Sequence, residues 1–531
     1  MPKKQRIYDP VFGYVELEDI EFELVTLPIF QRLHWIKQLG PLHTVFPSAQ
    51  HSRFSHTIGV FYIVKRMIEH LENRPDEHKY KFCKEEKEKE LLKFAALLHD
   101  IGHVPLSHVG EEVLKDTSEE ELEGDFLAKV KDNTFDPFTE GEPSWWDLFP
   151  EREYHGSSTK LHERLSAEIV LHSEEIDNVL RKEWDRKEER KKAKEKIAQI
   201  IVGQNYTDVP TLLLHSELDA DRLDYLLRDS FFTGVGYGKI ELDYIISRLA
   251  IFRDEHNVAD VCVENKGLHT VEHYILGRFF LQTQVIFNRK VRFMDLLFRD
   301  VMKYMVKHRN EKWSLMGLKD MRDCVHSKLR ENLHEIYGYT DAQVFSKMRK
   351  LHEEMDKKEK EDRATYEESY INDCIKTIMD GRIPEPAFPT CQRLIDLKND
   401  EDYKDRLQKE ANKIAKETAD ELGIYQERVK ANVVEQELMK YRKRVEGESG
   451  RESESNREAV RIVYEQPGKG EKIKAAAESN STMLGDLSDR ALLIFNVYYV
   501  ALKSETEEKV NAKTKAIKEA FAEFVTREFE D

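Results

Sequence analysis

The stretch Leu91-Leu92-Lys93-Phe94-Ala95-Ala96-Leu97-Leu98 runs straight into His99 and Asp100, and no other feature constrains this chain more. It is apolar nearly all round, the pattern of a helix buried on every side rather than one lying on a surface. A polar pair at the end of such a run sits where burial costs free energy unless a partner compensates it. Taken alone, the pair reads as a core histidine hydrogen-bonded to its neighbours, or as two ligands of one divalent cation. Two adjacent residues are too short a motif to decide.

Three further features favour the cation. His103 lies four residues after His99, so a continuing helix would turn both imidazoles the same way. Gly102 and Pro105 then interrupt the helix, and Ser107-His108 follow on a bend, where side chains can point into a cavity. Upstream, His51-Ser52-Arg53-Phe54-Ser55-His56 precedes Val60, Ile63, Val64, Met67, Ile68 and Leu71 at helical spacing. His56 is therefore expected to open one helix, and the His99-Asp100 pair to close a later one. Downstream, Asp221, Asp224, Tyr225, Arg228 and Asp229 share one helical face that is acidic and aromatic where a packing face would be apolar. Leu218, Leu223, Leu226 and Leu227 occupy the other faces, so that helix is expected to be buried with its polar stripe turned to a site.

His56, His99, Asp100 and Asp221 then offer two imidazoles and two carboxylates. That donor set suits a divalent transition metal, Fe, Mn, Zn, Ni or Co, without ranking them. Four protein ligands leave room for water and a phosphate oxygen only on a five- or six-coordinate ion, which would activate the water and polarise the phosphorus. Asp219, two residues before Asp221, is the expected orienting partner of a ligating histidine.

With 531 residues the chain is long enough for two or more domains. Its net charge of −18 disfavours a non-specific nucleic-acid binder, whose affinity rests on neutralising phosphates, without excluding a local basic pocket. Met-Pro-Lys-Lys-Gln-Arg lacks the apolar core of a signal peptide. The most apolar later run, Ala491 to Leu502, is broken by Asn496 and is too short to span a bilayer. The expectation is a cytoplasmic protein without a membrane partner. Cys83, Cys262, Cys324, Cys374 and Cys391 have no CxxC spacing, so neither a zinc ribbon nor a disulfide framework is indicated.

Alternation over residues 5–20 predicts a short strand or hairpin. Asp132 to Glu153, with Trp145, Trp146 and several prolines, is a long loop that reads equally as a lid or as a surface packed on a neighbouring domain or subunit. Arg278 is expected to begin a helix with Arg289 and Lys290 at its other end. Tyr403 to Val445 reads as one long charged helix, Glu446 to Asn456 as a flexible linker, and Ala459 onward as a strand entering a turn. A Lys/Glu helix is expected from about Glu505.

The order of these motifs resembles the HD-domain metal-dependent phosphohydrolases. The likeness is closer to their deoxynucleoside triphosphate (dNTP) triphosphohydrolases, including the human member that joins a sterile alpha motif to an HD domain. It is carried by Ile7-Tyr8-Asp9-Pro10-Val11-Phe12-Gly13, Phe30 to Gly40, Phe46-Pro47, Arg53-Phe54-Ser55-His56, His99 to His108, His162-Glu163 and Asp219 to Asp229. It covers roughly residues 5–300, with a weaker echo near 459–502. The implied fold is mainly α: an HD-domain helical core over 1–310 with small β elements, a charged helical region over 311–457 with a linker near 446–457, and a small α/β C-terminal subdomain over 458–531.

The resemblance also implies roles. His108 would protonate the leaving oxygen, with Glu111, in place of the family's Asp, orienting it. His103 and His162 would be further pocket histidines, with a structural role equally open for each. Arg53, Arg222, Tyr225 and Arg278 would contact phosphates. Gln38 and Asp229 would bond the sugar 3′-hydroxyl, and Leu39 would pack beneath C2′ and exclude ribose. The implied activity is hydrolysis of a dNTP, carrying Mg or Mn on its triphosphate, to deoxynucleoside and triphosphate by a homo-oligomer, whether dimer, tetramer or hexamer. Thr26 and His34 stand where the human member reads a guanine activator with Asp and Arg, which puts such activation in doubt. Ile286 and Asn288 replace a pocket Tyr and His, which weakens any inference about ribose or base. Two alternatives stay open: a phosphodiesterase, nuclease or nucleotidase acting on other nucleotides, single-stranded nucleic acid included, and a nucleotide-sensing regulator.

Overall fold

A computed structural model describes residues 5–74, 86–121, 160–203, 209–253, 259–309, 311–326, 335–381, 387, 390–396, 403–437, 460–466, 470–476, 482–484, 490–502 and 505–529. The aromatic loop over 132–153 and the linker over 446–456 lie outside these residues. The chain is mainly helical with three small sheets. No described helix is long and apolar enough to cross a membrane.

The chain opens with a hairpin, β1 (Gln5–Asp9) and β2 (Gly13–Leu17), paired antiparallel. Asp9 makes the turn: one carboxylate oxygen accepts from Val11 N and Phe12 N at 2.9 and 3.0 Å. Gly13 supplies the positive φ of 79° that the turn needs.

Two helices carry the first two motifs. Helix α1 (Arg53–Asn73) is capped by Ser52 and places Arg53 and His56 in its first turn. It buries Ile58, Phe61, Ile63, Val64 and Met67. Helix α2 (Glu86–Leu98) is the apolar run, with Leu92, Phe94, Ala95, Ala96, Leu97 and Leu98 all buried. Each such Leu or Phe contributes about 1.5–3 kcal/mol of burial. The one charge within its apolar stretch, Lys93, is met by Glu21 at 3.1 Å and Glu90 at 2.6 Å.

The helix stops at Leu98, so His99 and His103 do not share a helical face; a turn begins at His99, closed by His103 N on Asp100 O at 3.0 Å. Gly102 explains the path, because a Cβ there would overlap the backbone of His162, Leu165 and Ser166. Ser166 Oγ completes the join, accepting from Gly102 N and donating to His99 O. Helices α3 (His108–Glu121) and α4 (Leu161–His172) follow. Helix α5 (Ala220–Thr233) is the predicted acidic helix, with Leu223 and Leu226 buried and Gly234 ending it at φ 78°.

Several expectations need correction. Arg278 lies in the last turn of α6 (Leu268–Leu281), not at the start of a helix. A π-turn over Gln282–Ile286 then separates it from α7 (Arg289–Lys307). Past α8 (Asp341–Lys360) and α9 (Tyr366–Asp380), the helix expected over 403–445 stops early. It is α10 (Tyr403–Glu421), ended by Gly423 at φ 62°, and the chain re-emerges as β6 (Val429–Glu437), rich in β-branched residues.

β6 and β5 (Cys391–Asp396) flank β9 (Arg490–Tyr499), the apolar run near the C-terminal end. β7 (Arg461–Gln466) pairs in parallel with β4 (Ala259–Glu264), which pairs with β3 (Leu249–Arg253); β8 (Gly470–Ala475) closes that sheet. Both larger sheets thus join stretches that the sequence reading placed in different regions. Helix α11 (Glu507–Phe529) ends the described chain.

Candidate metal and phosphate site

The four expected metal ligands come together where α1, the turn after α2 and α5 meet. His56 Nε2 lies 3.0 Å from Asp221 Oδ1 and 3.8 Å from Asp100 Oδ2. His99 Nε2 lies 3.4 Å from Asp100 Oδ1. Ligand atoms of His56, His99 and Asp221 sit within 4.8 Å of one another.

The histidines test whether a cation fits. Each has its Nδ1 committed: His56 to Asp224 Oδ2 at 2.6 Å, His99 to Ala96 O at 2.8 Å. Each Nε2 is buried without a hydrogen bond of good geometry. Locking Nδ1 on a carboxylate or carbonyl leaves Nε2 as a lone-pair donor, the arrangement of metal-ligating histidines. Burial disfavours charge on His56, yet Asp221 and Asp224 outweigh it and raise its pKa to about 10. Carboxylates that favour a proton at Nε2 favour a cation in its place. Asp221, despite burial, is held well below the ordinary carboxylate range by His56, Lys160 and His99, and Asp100 likewise by His99, Arg53 and His103. The residues present fit a divalent metal.

The orienting partner is not the expected one. Asp219 caps α5, accepting from Arg222 N at 2.7 Å and Ser216 N at 3.0 Å. Asp224 orients His56 instead. Its i+3 place after Asp221 was visible in the sequence as part of the acidic face, but not its target.

A second group of histidines adjoins the first. His103 and His162 stack with ring centroids 3.8 Å apart. Their Nδ1 atoms lie 2.9 and 2.7 Å from Glu111 Oε1, and their Nε2 atoms 3.4 and 3.9 Å from Asp100 Oδ1. Burial, Arg53 and His162 push the His103 pKa down to about 3. Burial opposes the charge on Glu111, but His162 and His103 hold its carboxyl well below the ordinary range. Glu111 therefore serves chiefly this pair. His108, expected to be its partner, has Nδ1 at 3.6 Å from Oε2, beyond a hydrogen bond, and an imidazole 61% exposed.

Asp221 of the first group and His108 beside the second border a cavity of about 690 Å³. Gln38, Leu39, Arg53, His108, Asp221, Arg222, Tyr225, Asp229 and Arg278 all line it. The cations on its wall are paired. Arg53 donates to Asp100 Oδ2, Ser107 Oγ and Gln38 O at 3.0, 3.1 and 3.1 Å. Arg222 is held by Asp219 Oδ2 at 2.6 Å and by Ser216 O. Arg278 meets Glu217 Oε2 at 2.6 Å, and Arg222 reaches the other oxygen of Glu217 at 3.9 Å. Asp229 pairs with His51 at 2.9 Å. Sequence reading gave no role to Glu217, His51, Lys160 or His215, which line the cavity or pair with a residue that does. Each carried only the signal of a titratable residue near a motif.

The chain carries an HD domain: the HD domain family matches residues 53–229, from the first residue of α1 into α5. Within that class the chain is 30% identical over 296 residues to the Bacillus subtilis protein YwfO, over 55% of this chain and 54% of that one. It is 38% identical over 103 residues to the human deoxynucleoside triphosphate triphosphohydrolase SAMHD1, covering 19% of this chain and 16% of that one. The chain spans about half the length of the first curated relatives it matches. A phosphohydrolase structure from Bacteroides thetaiotaomicron shares the fold at TM-score 0.60 and 20% identity, over 93% of this chain and all of that one.

Proposed function

We propose that this protein is a metal-dependent hydrolase that cleaves a dNTP to deoxynucleoside and triphosphate. The observation that carries the reading is the shared cavity: Asp221, which meets His56 and His99, and the exposed His108 imidazole border one space, with Arg222, Tyr225 and Arg278 on its wall. A divalent metal bound by His56, His99, Asp100 and Asp221 would acidify water and polarise a phosphoryl oxygen.

The chain's own residues do the rest. Arg222 and Arg278 swing from Asp219 and Glu217 onto phosphate oxygens, and Tyr225 adds a hydroxyl donor. Gln38 and the His51-oriented Asp229 bond the 3′-hydroxyl, while Leu39 fills the place of a 2′-hydroxyl. A water oxygen forms the new bond to the α-phosphorus as the bond from phosphorus to O5′ breaks, and His108 donates the proton that O5′ takes up. His103, His162 and Glu111 hold the adjoining charge balance.

A second reading has its own observation. Every arginine at the cavity already has a carboxylate partner, so a smaller phosphoester would need to displace fewer ion pairs. Incubating the purified protein with each dNTP, NTP, cyclic nucleotide and single-stranded DNA, with Mn and Mg, separates the readings. Deoxynucleoside plus triphosphate is the expected product. Pyrophosphate with dNMP, or phosphate alone, contradicts it; tight dNTP binding without turnover favours a sensor.

A further inference from the structure

Asp341 lies far outside residues 53–229, yet its carboxylate works inside the site. It is the first residue of α8, whose preceding Thr340 makes no side-chain cap. Its two oxygens go to backbone donors of other segments: Oδ1 accepts from Leu106 N at 2.7 Å, 235 positions away, and Oδ2 from Lys37 N at 2.9 Å. The side chain is buried.

What it holds is strained. Leu106 and Ser107, the two residues before His108, have φ of 60° and 53°. That region is disfavoured for a non-glycine residue and persists only when its surroundings enforce it. Three contacts enforce it here besides Asp341. Ser107 Oγ donates to Lys37 O at 2.7 Å, and Arg53 Nε donates to Ser107 Oγ. Gly40 gives way on the other side, since a Cβ there would lie 2.6 Å from Leu106 O. Arg32 braces the same corner, donating to Tyr339 O at 3.0 Å and to Ile101 O and His103 O at 2.8 and 2.7 Å.

We propose that Asp341 is a positioning residue for the reaction: by accepting Leu106 N and Lys37 N together, it keeps the left-handed turn that aims His108 into the cavity and fixes Gln38 beside it. This rests on the phosphohydrolase reading, with His108 as the acid. Without the carboxylate two buried N–H groups lose their acceptors, the turn relaxes, and His108 leaves its aim. The metal-binding side chains keep theirs: His56 and His99 are anchored by Asp224 and Ala96, Asp221 by α5, and Asp100 by Arg53, which also holds Gln38 O.

The test is Asp341→Asn, which keeps the shape but turns an amide donor toward one of the two N–H groups. A positioned general acid is worth roughly 100-fold or more, so kcat on a dNTP is expected to fall about tenfold or more, with KM and metal content little changed. Bis(p-nitrophenyl) phosphate, whose leaving group needs no proton, should be cleaved at close to the wild-type rate. Adding Asp341→Asn to His108→Ala should cost nothing further. Undiminished kcat on the dNTP, equal loss on both esters, or additivity with His108→Ala overturns the proposal. If Asp341→Asn does not fold, Asp341→Glu, which keeps both acceptors on a longer arm, should show the same split between esters at smaller size, and equal loss again overturns it. If the wild type cleaves no phosphoester, the functional reading fails instead. A crystal structure of the variant then decides: Leu106 and Ser107 leaving positive φ supports the positioning role, and their staying there refutes it.

Discussion

Arg228 Nη1 donates to Asp9 Oδ2 at 2.7 Å, joining the N-terminal hairpin to a helix 219 residues later. The same guanidinium grips Asp224 through Nε and Nη2, both at 2.9 Å, and Asp224 in turn holds His56. A hairpin turn, a buried arginine, a carboxylate and a candidate metal ligand thus form one line. All four side chains are buried, so the charges are worth little as a pair but much as a completed set. Arg228→Ala would leave Asp9 and Asp224 buried without their cation, and about 3–5 kcal/mol of stability should be lost in urea unfolding. A loss within 1 kcal/mol would mean that water replaces the guanidinium freely.

Asp224→Asn tests the next link. Partners that orient a ligating histidine typically contribute about 10- to 100-fold in metal affinity, and a drop of that size is expected in competition with a chelator. Unchanged affinity would show that the His56 tautomer is set by something else. Asp221→Ala is the harsher counterpart: metal and activity should vanish together, and metal surviving at wild-type content would remove Asp221 from the ligand set.

How much of this was legible beforehand follows from the kind of signal each residue carries. Leu92 to Leu98 announced a buried helix because apolar periodicity is local. His56, His99, Asp100 and Asp221 stood out because ligand chemistry and motif order survive without coordinates. Asp224 was seen as one of a stripe, but a stripe does not say which carboxylate meets which imidazole; Asp219 was chosen for its closeness in sequence and turned out to cap a helix. Asp341 carried no signal at all, being one acid in a charged region whose partners are backbone amides. The helix expected over 403–445 failed for the opposite reason. Its charges suited a helix, and only the pairing with β9, a long-range fact, makes 429–437 a strand.

Gly59 gives a prediction against ordinary propensity. Glycine in mid-helix normally gives up about 1 kcal/mol relative to alanine. Here a Cβ would overlap the Asp224 carboxylate and the Arg228 guanidinium. Gly59→Ala should therefore lower the melting temperature or abolish folding, where an unobstructed site would show a rise.

Asp295 sets a pH dependence on the far side of the cavity. It lies on α7, where burial pushes its carboxyl pKa up to about 6 in spite of Arg292 at 3.0 Å, with nearby Glu112 adding to the rise. A carboxylate raised above its ordinary value of 3.8 binds its proton more tightly folded than unfolded. Its contribution is therefore present in full below pH 3.8 and lost as pH climbs through about 6. Above that the ionised group is a burden, at most about 3 kcal/mol at 1.4 kcal/mol per pH unit. Asp295→Asn removes the titration while keeping an oxygen for Arg292. Its melting temperature should match the wild type below about pH 4, exceed it by a margin that grows up to about pH 6, and keep that margin to pH 8. Two curves that run parallel from about pH 4 to about pH 6 would mean the carboxyl titrates normally, with Arg292 rather than burial setting its charge.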